Sequence, residues 1–143
     1  MQLALDQARA AEELGEVPVG AVVVLDDEVI AAAYNRREID ANPSAHAEFL
    51  ALSEAAEKLG RWRLSDCTVY VTLEPCIMCA GLMHQARIAR CVYGASDPKA
   101  GALGSLYSVH EDSRLNHTFE VESGVCADES AQLLSGFFAQ LRK

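Results

Sequence analysis

The chain of 143 residues has the length of one domain, and 50% of its residues are hydrophobic, which is enough to bury a core. Its formal net charge is -9, from 12 Lys and Arg against 21 Asp and Glu, so the basic composition typical of nucleic-acid-binding proteins is absent. Its 5 cysteines and short apolar runs argue against a disulfide-rich secreted protein and a membrane protein. We therefore expect a single domain, residues 1–143, that is soluble, cytoplasmic and not associated with a membrane.

The first elements that the sequence predicts are a helix and a hairpin. Apolar residues recur near helical spacing over residues 2–14. Two apolar runs follow at residues 17–25 and 28–35, and the Asp26-Asp27 pair between them favours a turn. These runs therefore predict two strands joined as a hairpin.

A polar loop, residues 34–44, then leads into a second helix. Ser44 is a good N-cap for this helix, Glu48 falls in its first turns, and Gly60 can close it. The pattern predicts a helix that begins just after Ser44.

A strand, a helix and a strand follow in the second half of the chain. Residues 67–73, "CTVYVTL", form a β-branched strand, Pro75 suits the first turn of the next helix, and "IARCVYGA", residues 88–95, is another strand. Two strands joined by a helix of this length imply parallel pairing with a right-handed crossover. The remaining predicted elements are a Gly-rich loop at 97–105, a short edge strand at 118–122 and an amphipathic helix at 127–141. The fold class is therefore α/β, with one mixed sheet between helices.

Two cysteines stand three positions apart in "TLEPCIMCAG", residues 72–81. On a helix, Cys76 and Cys79 can direct both sulfurs at one point, at the roughly 2.3 Å distance of a zinc–thiolate bond. The N-terminus of that helix favours negative charge and lowers thiol pKa values toward the thiolate that a metal requires. The alternatives are two packed core cysteines or a redox-active dithiol. The dithiol is the weaker alternative, because a dithiol site would not need the histidine and the glutamate that another segment of this chain supplies.

A histidine and a glutamate are supplied by "SAHAEFL", residues 44–50. Three ligands, His46, Cys76 and Cys79, leave the fourth position of a tetrahedral zinc open for water, as in catalytic sites. Zinc lowers the pKa of its water to about 7, and a reaction that expels an amine also needs a proton carrier, the role we assign to Glu48. The two motifs together, each at the start of a helix, predict a catalytic zinc site.

The motifs "HAE" and "PCIMC" resemble the zinc-dependent cytidine deaminase superfamily. Within it, the chain is similar to the bacterial tRNA-specific adenosine deaminases from about residue 2 to residue 141. The resemblance implies a cytidine deaminase-like fold, a three-layer α/β/α arrangement with one mixed five-stranded sheet. The similar segments are "EVPVGAVVV", "YNR", "SAHAE", "VTLEPCIMCAGLM", "YGASDPKAGALGSL", "LNH" and "GVCADESAQLLSGFF".

The resemblance also implies an activity. It is the hydrolytic deamination of adenosine to inosine at the wobble position of a tRNA anticodon loop, with one zinc ion per chain and Glu48 as proton carrier. The implied partners are a tRNA anticodon stem-loop and a second copy of the chain, in a homodimer.

Five further residues match substrate contacts of the family. The resemblance implies that Asn35 hydrogen-bonds the flipped nucleoside, that Val19 and Gly20 line the base pocket, that Ala47 offers main-chain contacts, and that Asp97 lies in the substrate-side loop. From the residues alone, Asn35 is as well explained as a loop cap, Val19 and Gly20 as the start of a buried strand, and Asp97 as the opening of a turn.

An RNA substrate requires a local positive surface on this acidic chain. The candidates for such a rim are Arg36, Arg37, Lys99, Arg142 and Lys143. Two other functions stay open: a zinc-dependent deaminase of a free base or nucleoside (guanine, cytosine or cytidine), and a non-enzymatic zinc-binding module, which needs a fourth protein ligand.

Overall fold

The computed structural model describes residues 1–142, which form four α-helices and five strands. Their order is α1 (Gln2–Glu13), β1 (Gly20–Leu25), β2 (Glu28–Tyr34), α2 (Ala47–Leu59), β3 (Thr68–Leu73), α3 (Ile77–Ala86), β4 (Arg90–Ala95), β5 (Glu120–Glu122) and α4 (Ala127–Leu141), with a short 3-10 helix (Val109–Glu111) before β5. None of the helices within these residues has the length and the apolar composition needed to cross a membrane.

The strands form one mixed sheet in the order β2-β1-β3-β4-β5. Strand β1 runs antiparallel to both β2 and β3, whereas β3, β4 and β5 run parallel to one another. Helix α1 packs against α4 and α2 packs against α3, so a pair of helices covers each face of the sheet. The predicted α/β class, with a mixed five-stranded sheet between helices, is confirmed.

The predicted turn between the first two strands is confirmed. Asp26 and Asp27 have positive φ angles, 51° and 62°, and Leu25 pairs directly with Glu28. Positive φ at both central residues is typical of the two-residue type I′ turn, whose twist matches that of the flanking strands.

The N-cap of helix α2 lies two positions later in the chain than the predicted N-cap, Ser44. The N-cap residue is His46, and both the backbone N–H and the hydroxyl of Ser44 donate to the side-chain oxygen of Asn42, at 2.9 and 2.8 Å. The prediction for Ser44 was wrong because a local turn satisfies its hydroxyl. Gly60 closes the helix with φ 65°, as predicted.

Helix α3 also begins later than predicted. Its N-cap residue is Cys76 and its first residue is Ile77, so Pro75 precedes the cap and does not lie in the first turn. Two of the three predicted metal ligands are therefore N-cap residues.

Candidate active site

Three predicted ligand side chains meet where the N-termini of α2 and α3 converge. His46 Nδ1 lies 3.6 Å from Cys76 Sγ and 3.5 Å from Cys79 Sγ. The ligand atoms of the three residues all lie within 4.8 Å of one another. The sequence separates His46 from Cys76 by 30 positions, and the fold brings them into contact.

These distances match a tetrahedral metal site. With metal–sulfur bonds near 2.3 Å and metal–nitrogen bonds near 2.05 Å, tetrahedral angles place the nitrogen and sulfur about 3.6 Å apart. The residues present therefore fit a shared metal ion. Within residues 1–142, no fourth His, Cys, Asp or Glu joins this group.

The charges of the two cysteines are coupled. Hydrogen bonds from Cys79 and His46 lower the pKa of Cys76 to about 4. The same contact with Cys76, together with burial, raises the pKa of Cys79. The hydrogen bond with Cys76 also raises the pKa of His46. These contacts favour the thiolate form of Cys76, which is the form that binds a metal.

Glu48 lies beside the cluster without belonging to it. It is the second residue of α2, and its side chain is buried, with the residue 4% exposed. Burial raises the pKa of its carboxyl group, against the opposing effect of its backbone hydrogen bond and of His46. A raised pKa favours the protonated form of the carboxyl group, and a general acid and base must both take up and release a proton.

A cavity of about 500 Å³ opens next to the cluster and Glu48. It is shaped by the strand ends, the N-terminus of α2, the loop after β4 and the C-terminal half of α4. The predicted site residues that line it are Val19, Asn35, His46, Ala47, Glu48, Cys76 and Asp97.

Asn35 is held at the cavity wall by two hydrogen bonds. Its Nδ2 donates to the carbonyl oxygen of Val17 at 3.2 Å, and its Oδ1 accepts from the backbone N–H of Arg37 at 3.2 Å. A side-chain amide has a second N–H and a second lone pair, which are available for a ligand. The geometry therefore accommodates both interpretations of Asn35, as loop cap and as substrate contact.

Gly20 and Asp97 have local structural explanations. A Cβ on Gly20 would lie 2.1 Å from the carbonyl oxygen of Ala4, so α1 packs directly on this strand, and Gly20 is not part of the cavity wall. Asp97 lines the cavity, but its Oδ1 accepts from the backbone N–H groups of Lys99 and Ala100 at 3.0 and 3.2 Å. Their contacts with a substrate stay predictions.

The positive rim is smaller than predicted. Arg37 and Lys99 line the cavity, whereas Arg36 is paired with Asp40 at 3.1 Å and does not line it. Arg142 is not part of the cavity wall either. Lys143 lies outside the described residues.

Two buried carboxylates near the site escaped sequence analysis. Glu16 is 1% exposed and accepts from the backbone N–H groups of Glu38 and Ile39, at 3.2 and 2.7 Å. Glu74 is 2% exposed and bonds to the loop after β4. For Glu74 the sequence did contain a signal, because this charged residue directly follows an apolar strand and precedes the Pro75-Cys76 pair.

Proteins similar to this chain are deaminases, in agreement with the site geometry. The mixed sheet and the His/Cys/Cys cluster match those of a deaminase with the cytidine deaminase-like fold. A model of the MafB19-like deaminase family matches residues 1–142. The tRNA-specific adenosine deaminase of Bacillus subtilis (strain 168) is 50% identical to this chain over 143 residues, covering 100% of this chain and 89% of that protein. The chain therefore belongs to the MafB19-like deaminase family and to the family of the tRNA-specific adenosine deaminases.

Solved structures extend this comparison. A structure from studies of A-to-I editing by tRNA:A34 deaminases at the wobble position of transfer RNA has a TM-score of 0.90 and 47% identity, over 94% of this chain and 97% of that one. The guanine deaminase of Nitrosomonas europaea has a TM-score of 0.80 and 26% identity, over 96% and 82%. The fold is thus shared by deaminases whose names state different substrates.

Proposed function

We propose that the chain is a zinc-dependent deaminase that converts adenosine to inosine at the wobble position of a tRNA anticodon stem-loop, in the cytoplasm. The observation that carries this proposal is the His46, Cys76 and Cys79 cluster with Glu48 beside it. The family of the chain narrows the substrate to adenosine in tRNA.

The chemistry begins with the metal. The residues that would hold zinc are His46, Cys76 and Cys79, whose nitrogen and sulfur donors suit this ion. When bound, zinc with an open position lowers the pKa of a water molecule toward neutrality. The expected content is one zinc ion per chain, measured by elemental analysis, and each of His46→Ala, Cys76→Ala and Cys79→Ala should lose it.

Glu48 is the group that moves protons. Its carboxyl group is buried at the cavity wall, and it stands outside the donor cluster. Deamination must remove a proton from the attacking water and deliver protons to the purine ring and the departing ammonia. A buried carboxyl group with a raised pKa can hold and release these protons in turn.

The cavity wall orients the base. Asn35 has unused hydrogen-bonding capacity, and Ala47 contributes main-chain atoms at the start of α2 without a bulky side chain. Val19 offers an apolar surface on the same wall. At about 500 Å³, the cavity falls within the roughly 300–1,000 Å³ range of ligand sites.

RNA binding is compatible with the acidic composition. Arg37 and Lys99 place two positive charges at the cavity itself, although the whole chain has a net charge of -9. Phe138 is 42% exposed at the same cavity and presents an aromatic surface. Single-stranded loops are recognised mainly by unstacked bases that enter pockets, so a small positive rim is sufficient.

A homodimer forms part of the proposal. Cys79, Ala80 and Met83 of α3 are buried within the chain itself, so these side chains are not available to an interface. Ile77 and Tyr107, which line one groove beside α3, are 58% and 56% exposed. A second copy would cover these side chains, and sedimentation of a monomer at micromolar concentration would contradict the dimer.

The activity is tested with a synthetic anticodon stem-loop that carries adenosine at the wobble position. We expect inosine and ammonia to form in equal amounts. The control is the same stem-loop with guanosine at the wobble position and adenosine moved to the neighbouring position. Equal conversion of both RNAs would contradict recognition of the wobble position.

A further inference from the structure

Glu74 is a buried carboxylate whose charge is stabilised by hydrogen-bond donors. It follows β3, and its carboxylate accepts three N–H bonds and one O–H bond, all from residues 97–105. Burying a carboxylate is costly unless donors replace the lost water. The four bonds provide that replacement, and they connect the end of β3 to a segment more than twenty positions away.

The four donors come from opposite ends of that segment. One carboxylate oxygen accepts from the backbone N–H of Asp97 at 3.0 Å and from the Ser105 hydroxyl. The other accepts from the backbone N–H groups of Leu103 and Ser105, at 3.1 and 3.0 Å. Since Asp97 begins the segment and Ser105 ends it, a single carboxylate closes a loop of nine residues, from 97 to 105.

The middle of the segment also packs on this carboxylate. A Cβ on Gly101 would lie 2.3 to 2.5 Å from the carboxylate atoms of Glu74. A larger residue at position 101 would therefore displace either the segment or the carboxylate. The backbone N–H of Ala102 donates to the carbonyl oxygen of Pro75 at 2.9 Å. The segment therefore wraps around the run that connects β3 to Cys76.

The cavity wall depends on this arrangement. Lys99 and Ala100 line the cavity and lie between the two anchored ends. We infer that Glu74 is a positioning residue for substrate binding, which fixes segment 97–105 and the Lys99 ammonium group as one wall of the cavity. The importance of this wall for the substrate rests on the proposed function, whereas the order of the segment does not.

The first test is Glu74→Gln. The amide keeps the shape of the side chain and can still donate to the Ser105 hydroxyl, but its N–H group then faces the N–H of Asp97. We expect amide hydrogen exchange within residues 97–105 to become roughly tenfold faster or more, because a hydrogen bond to a charged group is lost. Exchange in α2 and β1 should stay unchanged, and the protein should still bind one zinc ion per chain.

The kinetic signature separates positioning from a general loss of structure. For the anticodon stem-loop, KM should rise about tenfold while kcat stays within about threefold, because the wall contributes binding away from the reacting atoms. The matched control is Glu57→Gln, which removes the same charge from the exposed face of α2 and should change none of these values.

A second pair of variants keeps the test decisive if Glu74→Gln does not fold. Ser105→Ala removes one donor and should accelerate amide exchange in the same segment to a smaller extent than Glu74→Gln. Ser105→Thr retains a hydroxyl group, so its exchange rates should equal those of the wild-type protein. Unchanged exchange in the Ala variant would overturn the inference. So would an unchanged KM despite faster exchange, or a fall in kcat that accompanies loss of zinc. If the wild-type protein leaves the stem-loop unmodified, the proposed function fails, and the exchange rates alone decide whether Glu74 orders the segment.

Discussion

At the scale of single residues, the proposed function gives Glu48 and the three metal-binding candidates different roles. Glu48, His46 and Cys76 line one cavity, yet the donor atoms of His46, Cys76 and Cys79 form a group that does not include Glu48. Changes at these four positions should therefore produce two different patterns of zinc content and activity.

The substitution Glu48→Gln tests this separation. It preserves the shape of the side chain and removes the titrating carboxyl group, so activity should fall by about 10²–10⁴-fold, the typical contribution of a general acid or base. Zinc content should stay at one ion per chain, because Glu48 stands outside the donor group of His46, Cys76 and Cys79. Zinc loss in this variant would make Glu48 a ligand and contradict the assignment.

Cys76 provides a pH-dependent prediction. Its pKa is lowered to about 4, so in metal-free protein the thiolate is fully formed at pH 6 and its alkylation by iodoacetamide should change little between pH 6 and 8. An unperturbed thiol would instead react about tenfold faster per pH unit in this range. Burial raises the pKa of Cys67 to about 11, so this thiol should stay unmodified.

Peptide mapping after treatment with a chelator identifies the alkylated residue. Protein that retains its metal is the control, because coordination should protect Cys76. Labelling of Cys76 that rises steeply with pH would show an ordinary thiol and contradict the coupled cluster.

At the scale of elements, the sequence predicted the helices and strands better than their first residues. Apolar periodicity and the Asp-Asp turn sufficed for the order of the elements and the hairpin. Ser44 and Pro75 misled because local propensity permits a helix to begin at either, whereas the fold places His46 and Cys76 at the N-caps. The two helices begin where their N-termini meet at the site, and this contact between distant segments leaves no pattern in the local sequence.

Gly20 shows the same limit of local patterns, and it yields a stability prediction. A methyl group on Gly20 would overlap the backbone of α1, so Gly20→Ala should lower the free energy of unfolding by about 2 kcal/mol or more, within the range of overpacking effects. For a chain of this size, that is a fall in Tm of roughly 5 °C or more.

Gly136→Ala is the matched control for this stability measurement. Gly136 lies within α4, and an added Cβ would meet no atom within 4 Å. The helical preference of Ala over Gly should stabilise the protein by about 0.5–1 kcal/mol. Thermal unfolding that shows equal effects at both positions would contradict the close approach of α1 to β1.

At the scale of the whole molecule, the net charge does not describe the charge at the candidate site. The net charge of -9 is a sum over the chain, but Arg37 and Lys99 are concentrated at one cavity. The sequence identified the metal-binding motifs because their spacing is local. It missed Glu16 and Glu74 because their partners lie more than twenty positions away along the chain.

The substrate is the central claim, and relative rates test it most directly. Arg37, Lys99 and Phe138 line the cavity, and under the proposed function they would contact flanking nucleotides and so hold the reacting base in place. The value of kcat/KM for a stem-loop with adenosine at the wobble position should exceed that for free adenosine, guanine or cytidine by about 100-fold or more. Equal or faster turnover of any free base or nucleoside would contradict the tRNA assignment, while the metal-dependent deaminase chemistry would stand.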